Sequence, residues 1–202
     1  VLDEYGLSSN SNEDSMLANF WCMLYQGGYM QIDKVYSNIN TQIWALTKID
    51  DSDKEQLVRK FSGGMLDCAK AYSEFFVKSN HDKFGTFEKF EGAITDAQRG
   101  NMKLHINDFR AVGYPTMLSV FTMAVYQKVD NVNLFEKYLR NLEKSVFRVY
   151  RIANSNQNWY RSDHGNEARA LYNGNHPEIQ GGQINAAQHS MEYLCRFTRQ
   201  YC

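Results

Sequence analysis

The sequence predicts an all-α protein, an irregular bundle of about seven to nine helices with no substantial sheet. Apolar residues recur at steps of three and four along most of the chain, as they do on the buried face of a helix. No stretch shows the sustained alternation of a β-strand, and two prolines among 202 residues leave long segments without a helix breaker. Aromatic residues make up 14% of the chain, which supplies large side chains for a core that needs neither disulfides nor metal.

The first twelve residues are polar and lack periodicity, so we expect residues 1–12 to form a flexible arm. Because the chain begins with Val and with such an arm, we expect it to be a fragment of a longer protein. Residues 13–202 are expected to form a single all-helical domain. A division into two subdomains, 13–98 and 102–202, is the alternative.

Two helices are predicted before residue 48. Ser15 is a suitable cap for a helix from Met16 to about Gln26, which Gly27-Gly28 would end. A second amphipathic run extends from Ile32 to Thr47.

The acidic cluster at residues 50–53 is predicted to cap a third helix that reaches about Ser79. A calcium-binding loop starting at Asp50 would need Gly at its sixth position and Glu at its twelfth, where the chain has Glu55 and Phe61. Within this helix, Gly63-Gly64 predicts either a kink or a close helix crossing.

The middle of the chain is predicted to contain two further helices. Thr86 is the expected cap of a fourth helix, which ends near the turn residues 99–101. A short helix from Leu104 to Val112 is expected to end at Gly113. Tyr114-Pro115 then starts the next helix, because Pro suits a first helical turn.

Residues 116–128 are almost wholly apolar, which is typical of a helix buried on all sides. Only a short turn separates this segment from a long helix predicted at residues 131–153. So short a connection predicts that the two helices form an antiparallel hairpin at the centre of the fold.

The helix predicted at residues 131–153 has two unlike faces. Its apolar arc contains Leu134, Phe135, Tyr138, Leu139, Leu142, Val146, Val149, Tyr150 and Ala153. Five cations lie on the opposite side within an arc of roughly 80°. They are Lys137, Arg140, Lys144, Arg148 and Arg151. The acids Glu136 and Glu143 lie at the border between the two arcs.

These five cations, called the basic stripe below, have two interpretations. Charge on the solvent face of a helix is ordinary, and long cationic side chains shield apolar surface with their stems. An ordinary exposed face mixes signs, however, whereas this one carries a single sign, which favours a surface that binds phosphates or an acidic domain. Trp159, Tyr160 and Arg161 follow the helix and are predicted to add stacking on a base.

The C-terminal part is predicted to contain a polar loop at 154–158, a helical turn or two at 167–172 and a final helix at 183–201. The residues of the final helix expected to face the core are Ile184, Ala187, Met191, Leu194, Cys195 and Thr198.

Composition excludes several classes of protein. The net charge of −1 gives no global attraction to nucleic acid or membrane, and no apolar run approaches the ~18 residues of a membrane span. Four cysteines without a Cys-x-x-Cys pair indicate reduced thiols in a cytoplasmic protein, with Cys22 and Cys68 as small buried hydrophobes. His164 and His176 lie in polar stretches and are expected to be exposed rather than metal ligands. We predict no metal, no cofactor and no catalytic residue.

The order of motifs resembles one known family. Gly113-Tyr114-Pro115 opens an apolar helix, and the next helix carries Phe135-x-x-Tyr138-Leu139-x-x-Leu142-Glu143-x-x-x-Phe147-Arg148-x-Tyr150-Arg151. The segment Glu167-Ala168-Arg169-Ala170-Leu171-Tyr172 and a terminal helix follow. This resembles the helical region after the ParB-like domain in the GmrSD-type, modification-dependent restriction endonuclease family, most strongly from Tyr114 to Tyr172.

The resemblance implies a non-catalytic middle domain of a bacterial restriction and phage-defence protein. In that family a nucleotide-hydrolysing domain with an Asp-Gly-Gln-x-Arg motif precedes this region, and a His-Asn-His nuclease domain follows it. Neither motif occurs in this chain, so the family's catalytic residues have no counterpart here. The implied role is to couple the flanking domains and to contact DNA, within a parent that acts as a nucleotide-dependent endonuclease.

A second hypothesis comes from a different class. The aromatic residues Trp21, Trp44, Tyr72 and Phe76 could line a pocket, which would suit a free-standing helical ligand-binding or enzymatic domain.

Overall fold

The structure is a computed structural model that describes residues 5, 7, 10–25, 31–46, 50–113, 116–154, 161–175, 179 and 185–201, with backbone alone at 10–12, 42–44, 46, 116, 161 and 201. These residues form eight α-helices, a 3₁₀ turn and a π-helical segment, and none of them is in a β-strand. The helices are α1 (Asn10–Leu24), α2 (Ile32–Leu46), α3 (Asp51–Phe76), α4 (Asp96–Val112), α5 (Thr116–Lys128), α6 (Val132–Val146), α7 (Arg161–Tyr172) and α8 (Ala186–Tyr201). The prediction of an all-α bundle is confirmed.

Helix α1 begins at Asn10, well before the predicted start at Met16, so Ser15 lies inside the helix. Tyr5 and Leu7 are buried in the core. Removing their large side chains from water is favourable, which accounts for their burial within an otherwise polar segment. The expectation of a loose arm is therefore wrong at these two positions.

Helix α3 runs without interruption through Gly63-Gly64. A Cβ at Gly64 would lie 3.2 Å from Phe20 Cε2 and 3.3 Å from the Tyr172 hydroxyl, whereas a Cβ at Gly63 would meet open space. Gly64 thus marks the close crossing that was predicted, with α1 and α7 as the neighbours. Asp50 precedes the helix in extended conformation, but its side chain makes no capping hydrogen bond.

The start of α4 differs from the prediction. Thr86 is not a cap: its hydroxyl donates to Glu74 Oε1 (3.3 Å). The true cap is Thr95, whose hydroxyl accepts from Gln98 N (3.2 Å) while the Gln98 side chain accepts from Thr95 N (3.1 Å). This reciprocal capping box satisfies two backbone donors that would otherwise lack a partner, which is why the helix starts there.

The turn predicted at residues 99–101 lies inside α4, so the boundary between the alternative subdomains would cut a continuous helix. The buried apolar residues also form one cluster that extends from Tyr5 to Phe197. Gly113 ends α4 with a φ of 77°, as predicted, because glycine adopts this left-handed conformation without strain.

Helix α5 is the central helix that its composition predicted. Every residue from Met117 to Tyr126 is buried. The backbone of α5 lies closest to α7, whereas that of α6 lies closest to α4 and α8. In the described part of the chain, no helix is both long enough and apolar enough to cross a membrane.

Helices α5 and α6 contact each other through large side chains. The Thr122 and Tyr138 hydroxyls lie 3.2 Å apart, and the rings of Tyr126 and Phe135 have centroids 5.2 Å apart. Residues later in α5 thus pair with residues earlier in α6, which is the antiparallel order that was predicted. The bulk of these rings keeps the two backbones apart, so other helices approach α6 more closely.

The inward face of α8 is predicted only in part. Ala187 and Leu194 are buried, but Cys195 is exposed and Phe197 is buried in its place. Cys22 and Cys68 are buried, as expected for small hydrophobic side chains.

Candidate functional site

The apolar arc of α6 lies in the core. Phe135, Tyr138, Leu139, Leu142 and Val146 are buried, and burial continues through Val149 and Tyr150. Asn131 caps the start of the helix, and its side-chain oxygen accepts a hydrogen bond from Leu134 N (3.1 Å). Leu134 is half-buried, and Ala153 is exposed, contrary to its predicted place in the core.

The α-helix does not continue to Ala153 because residues Phe147–Ile152 form a π-helix. Ala153 N donates to Arg148 O at 2.9 Å, a bond that spans five residues instead of four. The wider turn moves later residues away from the positions that α-helical geometry assigns. The prediction of one regular helix from Asn131 to Ala153 is therefore wrong after Val146.

All five cations of the basic stripe are exposed to solvent. Arg151 donates from Nη2 to the Ala111 carbonyl at 3.2 Å, which leaves the rest of its guanidinium accessible. Among the described residues, Lys137, Arg140, Lys144 and Arg148 form no ion pair. At 1.5 Å per residue, the row from Lys137 to Arg151 is about 20 Å long.

The two acids at the edge of the stripe interact with α4 instead of the cations. Asn101 Nδ2 donates to Glu136 Oε1 (3.2 Å), and His105 Nδ1 lies 2.6 Å from Glu143 Oε2. Together with Gln98, whose side chain donates to that of Asn133 (2.7 Å), these pairs form a polar seam along parallel α4 and α6. These bonds direct both carboxylates toward α4, and among the described residues neither acid forms an ion pair with a cation of the stripe.

The aromatic extension predicted for the stripe falls on residues with little or no description. Trp159 and Tyr160 lie outside the described residues, and Arg161 is described by its backbone alone, as the first residue of α7.

His164 is buried, contrary to its expected exposure. Its Nδ1 lies 2.5 Å from the Tyr193 hydroxyl, and burial lowers its pKa to about 4. Between the same two helices, α7 and α8, His189 Nε2 lies 3.0 Å from Glu167 Oε2. The spacing of His164 with Ala168, one turn later and fully buried, places it on the inner face of α7, and this signal could have identified it from sequence. The second candidate, His176, lies outside the described residues.

Glu74 is a second buried titratable group that the sequence did not indicate. Its Oε1 accepts from Glu88 N (3.0 Å) and from the Thr86 hydroxyl (3.3 Å). Burial raises the pKa of this carboxyl to about 7. It borders an open cleft of about 350 Å³ that also includes Lys89. The segment after α3 folds back over Glu74 to create this environment, and no local pattern in the sequence predicts the burial of Glu74.

The described residues offer little support for a metal centre or for the aromatic pocket. No group of three His, Cys, Asp or Glu side chains among them could hold a metal ion. Trp21 and Tyr72 are buried in the core, where Tyr72 packs against Phe76 with ring centroids 5.2 Å apart. The side chain of Trp44 lies outside the described residues. The rings that can be placed are thus committed to packing.

Comparison with protein-family models, with curated proteins and with solved structures finds no match to this chain. The likeness of residues 114–172 to the GmrSD-type helical region therefore stays a prediction. The evidence for function comes from the chain's own surface, in which the basic stripe is the most distinctive feature.

Proposed function

We propose that this chain is a non-catalytic helical domain of a larger DNA-processing protein and that it binds the phosphate backbone of DNA through the basic stripe. The observation that carries this proposal is the exposed single-sign row along α6 and the π-helical segment, whose neighbouring acids bond to residues of α4. Five cations along about 20 Å suit a polyanion with regularly spaced phosphates.

Charge and geometry both favour phosphate as the ligand. Arg140, Arg148 and Arg151 present planar guanidinium groups that form forked hydrogen bonds to phosphate oxygens, while the two lysines act as point charges. Such contacts position a protein on DNA without reading its sequence. The predicted activity is thus salt-sensitive, sequence-independent DNA binding.

The resemblance to the GmrSD-type helical region supports a place for this DNA-binding domain in a larger protein. We propose that the domain lies between a nucleotide-hydrolysing domain and a nuclease domain of a GmrSD-like restriction protein, and that it transmits movement from one to the other. The flanking domains are then its protein partners. One continuous core through all eight helices suits a body that moves as a unit.

The experiment reverses the stripe. The triple variant Arg140→Glu, Lys144→Glu and Arg148→Glu is compared with wild type by fluorescence anisotropy on duplex DNA over a range of salt concentrations. We expect the variant to lose measurable binding, because three attractive contacts become repulsive. For a milder Gln series, the slope of log K against log salt should fall by about 0.9 for each phosphate contact removed.

The matched control is Lys34→Glu, Lys60→Glu and Lys78→Glu, which makes the same change of charge at exposed positions outside α6. We expect the control to bind duplex DNA nearly as well as wild type. If both triple variants lose binding equally, net charge and not the stripe is responsible, and the proposal fails. It also fails if wild type binds no DNA at low salt.

A further inference from the structure

A groove beside the basic stripe has the chemistry of a nucleobase site. Resting on the proposed function, we propose that the groove between α4 and the π-helical segment receives an unstacked base of the bound nucleic acid, with Phe147 as its stacking platform. The open space measures about 400 Å³. Its lining consists of Asp108, Ala111, Val112, Glu143, Phe147 and Arg151.

Phe147 is unusual among the aromatic residues of this region because half of its surface is exposed, whereas Phe135 on the preceding turns is fully buried. Leaving so much of a phenyl ring in water forgoes a large part of the free energy that burial would contribute. The ring follows Lys144 by three residues, and it lines the same groove as Arg151, so it lies beside cations of the stripe. An exposed ring between cations is the combination that proteins use to bind single strands.

The π-helical segment holds the ring at the edge of the groove. Residues 147–152 widen the helical turn, and Arg151 bridges from this segment to the Ala111 carbonyl at the end of α4. That bridge ties the two walls of the groove together, so the space has defined sides. π-Helical turns are frequently found at functional sites.

The carboxylates of the groove decide which part of a nucleotide can enter. Asp108 is exposed and, among the described residues, forms no ion pair, and Glu143 is held in place by His105. Ionised carboxylates accept hydrogen bonds and repel phosphate, so phosphates stay with Lys144 and Arg148 outside. A base amino group, in contrast, donates to a carboxylate. The site therefore suits cytosine, adenine or guanine better than thymine.

The experiment uses a duplex with one bulged 2-aminopurine, whose fluorescence falls when the base stacks on an aromatic ring. We expect wild type to quench the bulged base and to bind the bulged duplex more tightly than the fully paired one. Phe147→Ala should abolish quenching and weaken binding of the bulged duplex roughly 5- to 100-fold, with little effect on the paired duplex. Phe147→Trp should retain quenching, which shows that the variant position still folds and stacks.

The matched control is Ile152→Ala, which removes an even more exposed apolar side chain from the same π-helical segment. It should leave quenching unchanged. If Ile152→Ala acts like Phe147→Ala, the effect is general apolar contact and the inference is overturned. For the carboxylate, Asp108→Asn should reduce the preference for a bulged cytosine over a bulged thymine, and an unchanged preference counts against its role.

Failure of this inference is distinguishable from failure of the proposed function. If wild type binds paired and bulged DNA equally, with strong salt dependence and no quenching, the groove takes no base and the stripe remains a phosphate grip. If wild type binds neither DNA, both proposals fail.

Discussion

The outer face of α6 and the interior around α3 and α7 differ in the exposure of their ionisable groups, which are in water on the outer face and buried in the interior. Along α6 and the π-helical segment that follows it, five cations remain in water beside the two acids of the polar seam. In the interior, Glu74 and His164 are buried, and burial shifts each pKa in the direction that favours the neutral form: to about 7 for Glu74 and to about 4 for His164.

The difference shows which charges are available for binding and which are coupled to folding. A cation in water keeps its charge at any physiological pH and contributes little to stability, so it is available to a ligand. A buried titratable group loses hydration when the chain folds, so its protonation changes the free energy of unfolding. The predictions below test this contrast from the largest effect to the smallest.

Glu74 should make the protein less stable as pH rises. The unfolded carboxyl loses its proton near pH 4.5 and the folded one near 7, so the folded state binds more protons in that window and the free energy of unfolding falls with pH. Glu74→Gln should remove this pH dependence. Between pH 4.5 and 8, the free energy of unfolding of the variant should rise relative to that of wild type by roughly 2–3 kcal/mol. Urea unfolding across pH measures it, with the exposed Glu91→Gln as control. Parallel profiles for wild type and Glu74→Gln would refute the assignment.

His164 should act in the opposite direction. The unfolded imidazole takes up a proton near pH 6.5 but the buried one only near 4, so stability is lost as pH falls through this window. His164→Asn should lower stability at neutral pH through lost packing, but it should remove roughly 2–3 kcal/mol of the acid-induced loss. The same urea titration checks it, with the partly exposed His81→Asn as control. Retention of the full acid-induced loss in the variant would contradict this prediction.

The two neighbouring glycines of α3 also differ in exposure: Gly63 faces solvent and Gly64 is buried. Gly63→Ala fills open space and should stabilise the protein by about 0.5–1 kcal/mol, because alanine loses less backbone entropy on entering a helix. Gly64→Ala should destabilise it by about 1 kcal/mol, because the new Cβ presses on Phe20, which its ring contacts with Tyr25 and Phe61 hold in place. Thermal unfolding of the pair should give shifts of opposite sign. Equal shifts would show that the crossing at Gly64 is loose.

The smallest effect is expected for the stripe itself. Replacing Arg140, Lys144 and Arg148 by Gln should change the free energy of unfolding by less than about 0.5 kcal/mol, because exposed charges contribute little to folding. The variant should nevertheless lose affinity for DNA. A large loss of stability would mean that these side chains serve the fold, and it would weaken their assignment as a binding surface.

Local patterns in the sequence were sufficient for the helices that are built from neighbouring residues. The uniformly apolar stretch of α5 and the apolar arc of α6 up to Val146 were predicted correctly, because helical spacing repeats within four residues. Gly113 was likewise predicted to end a helix, and of the two alternatives predicted for Gly63-Gly64, a kink or a close crossing, the structure has a close crossing at Gly64. The start of α4 was missed although the sequence marks it: Thr95 is followed three residues later by Gln98, the spacing of a capping box, whereas Thr86 is followed at that spacing by Lys89.

By itself, the sequence determined that this chain is helical, where its two-faced helix begins and which side of that helix carries the cations. Tertiary structure alone decided that Glu143 pairs with His105, that the chain after α3 folds back to bury Glu74, and that a π-helical turn leaves Phe147 in water beside α4. The physical reason is distance along the chain. Helical periodicity is an interaction between near neighbours, whereas burial and charge pairing depend on residues that meet only when the helices pack.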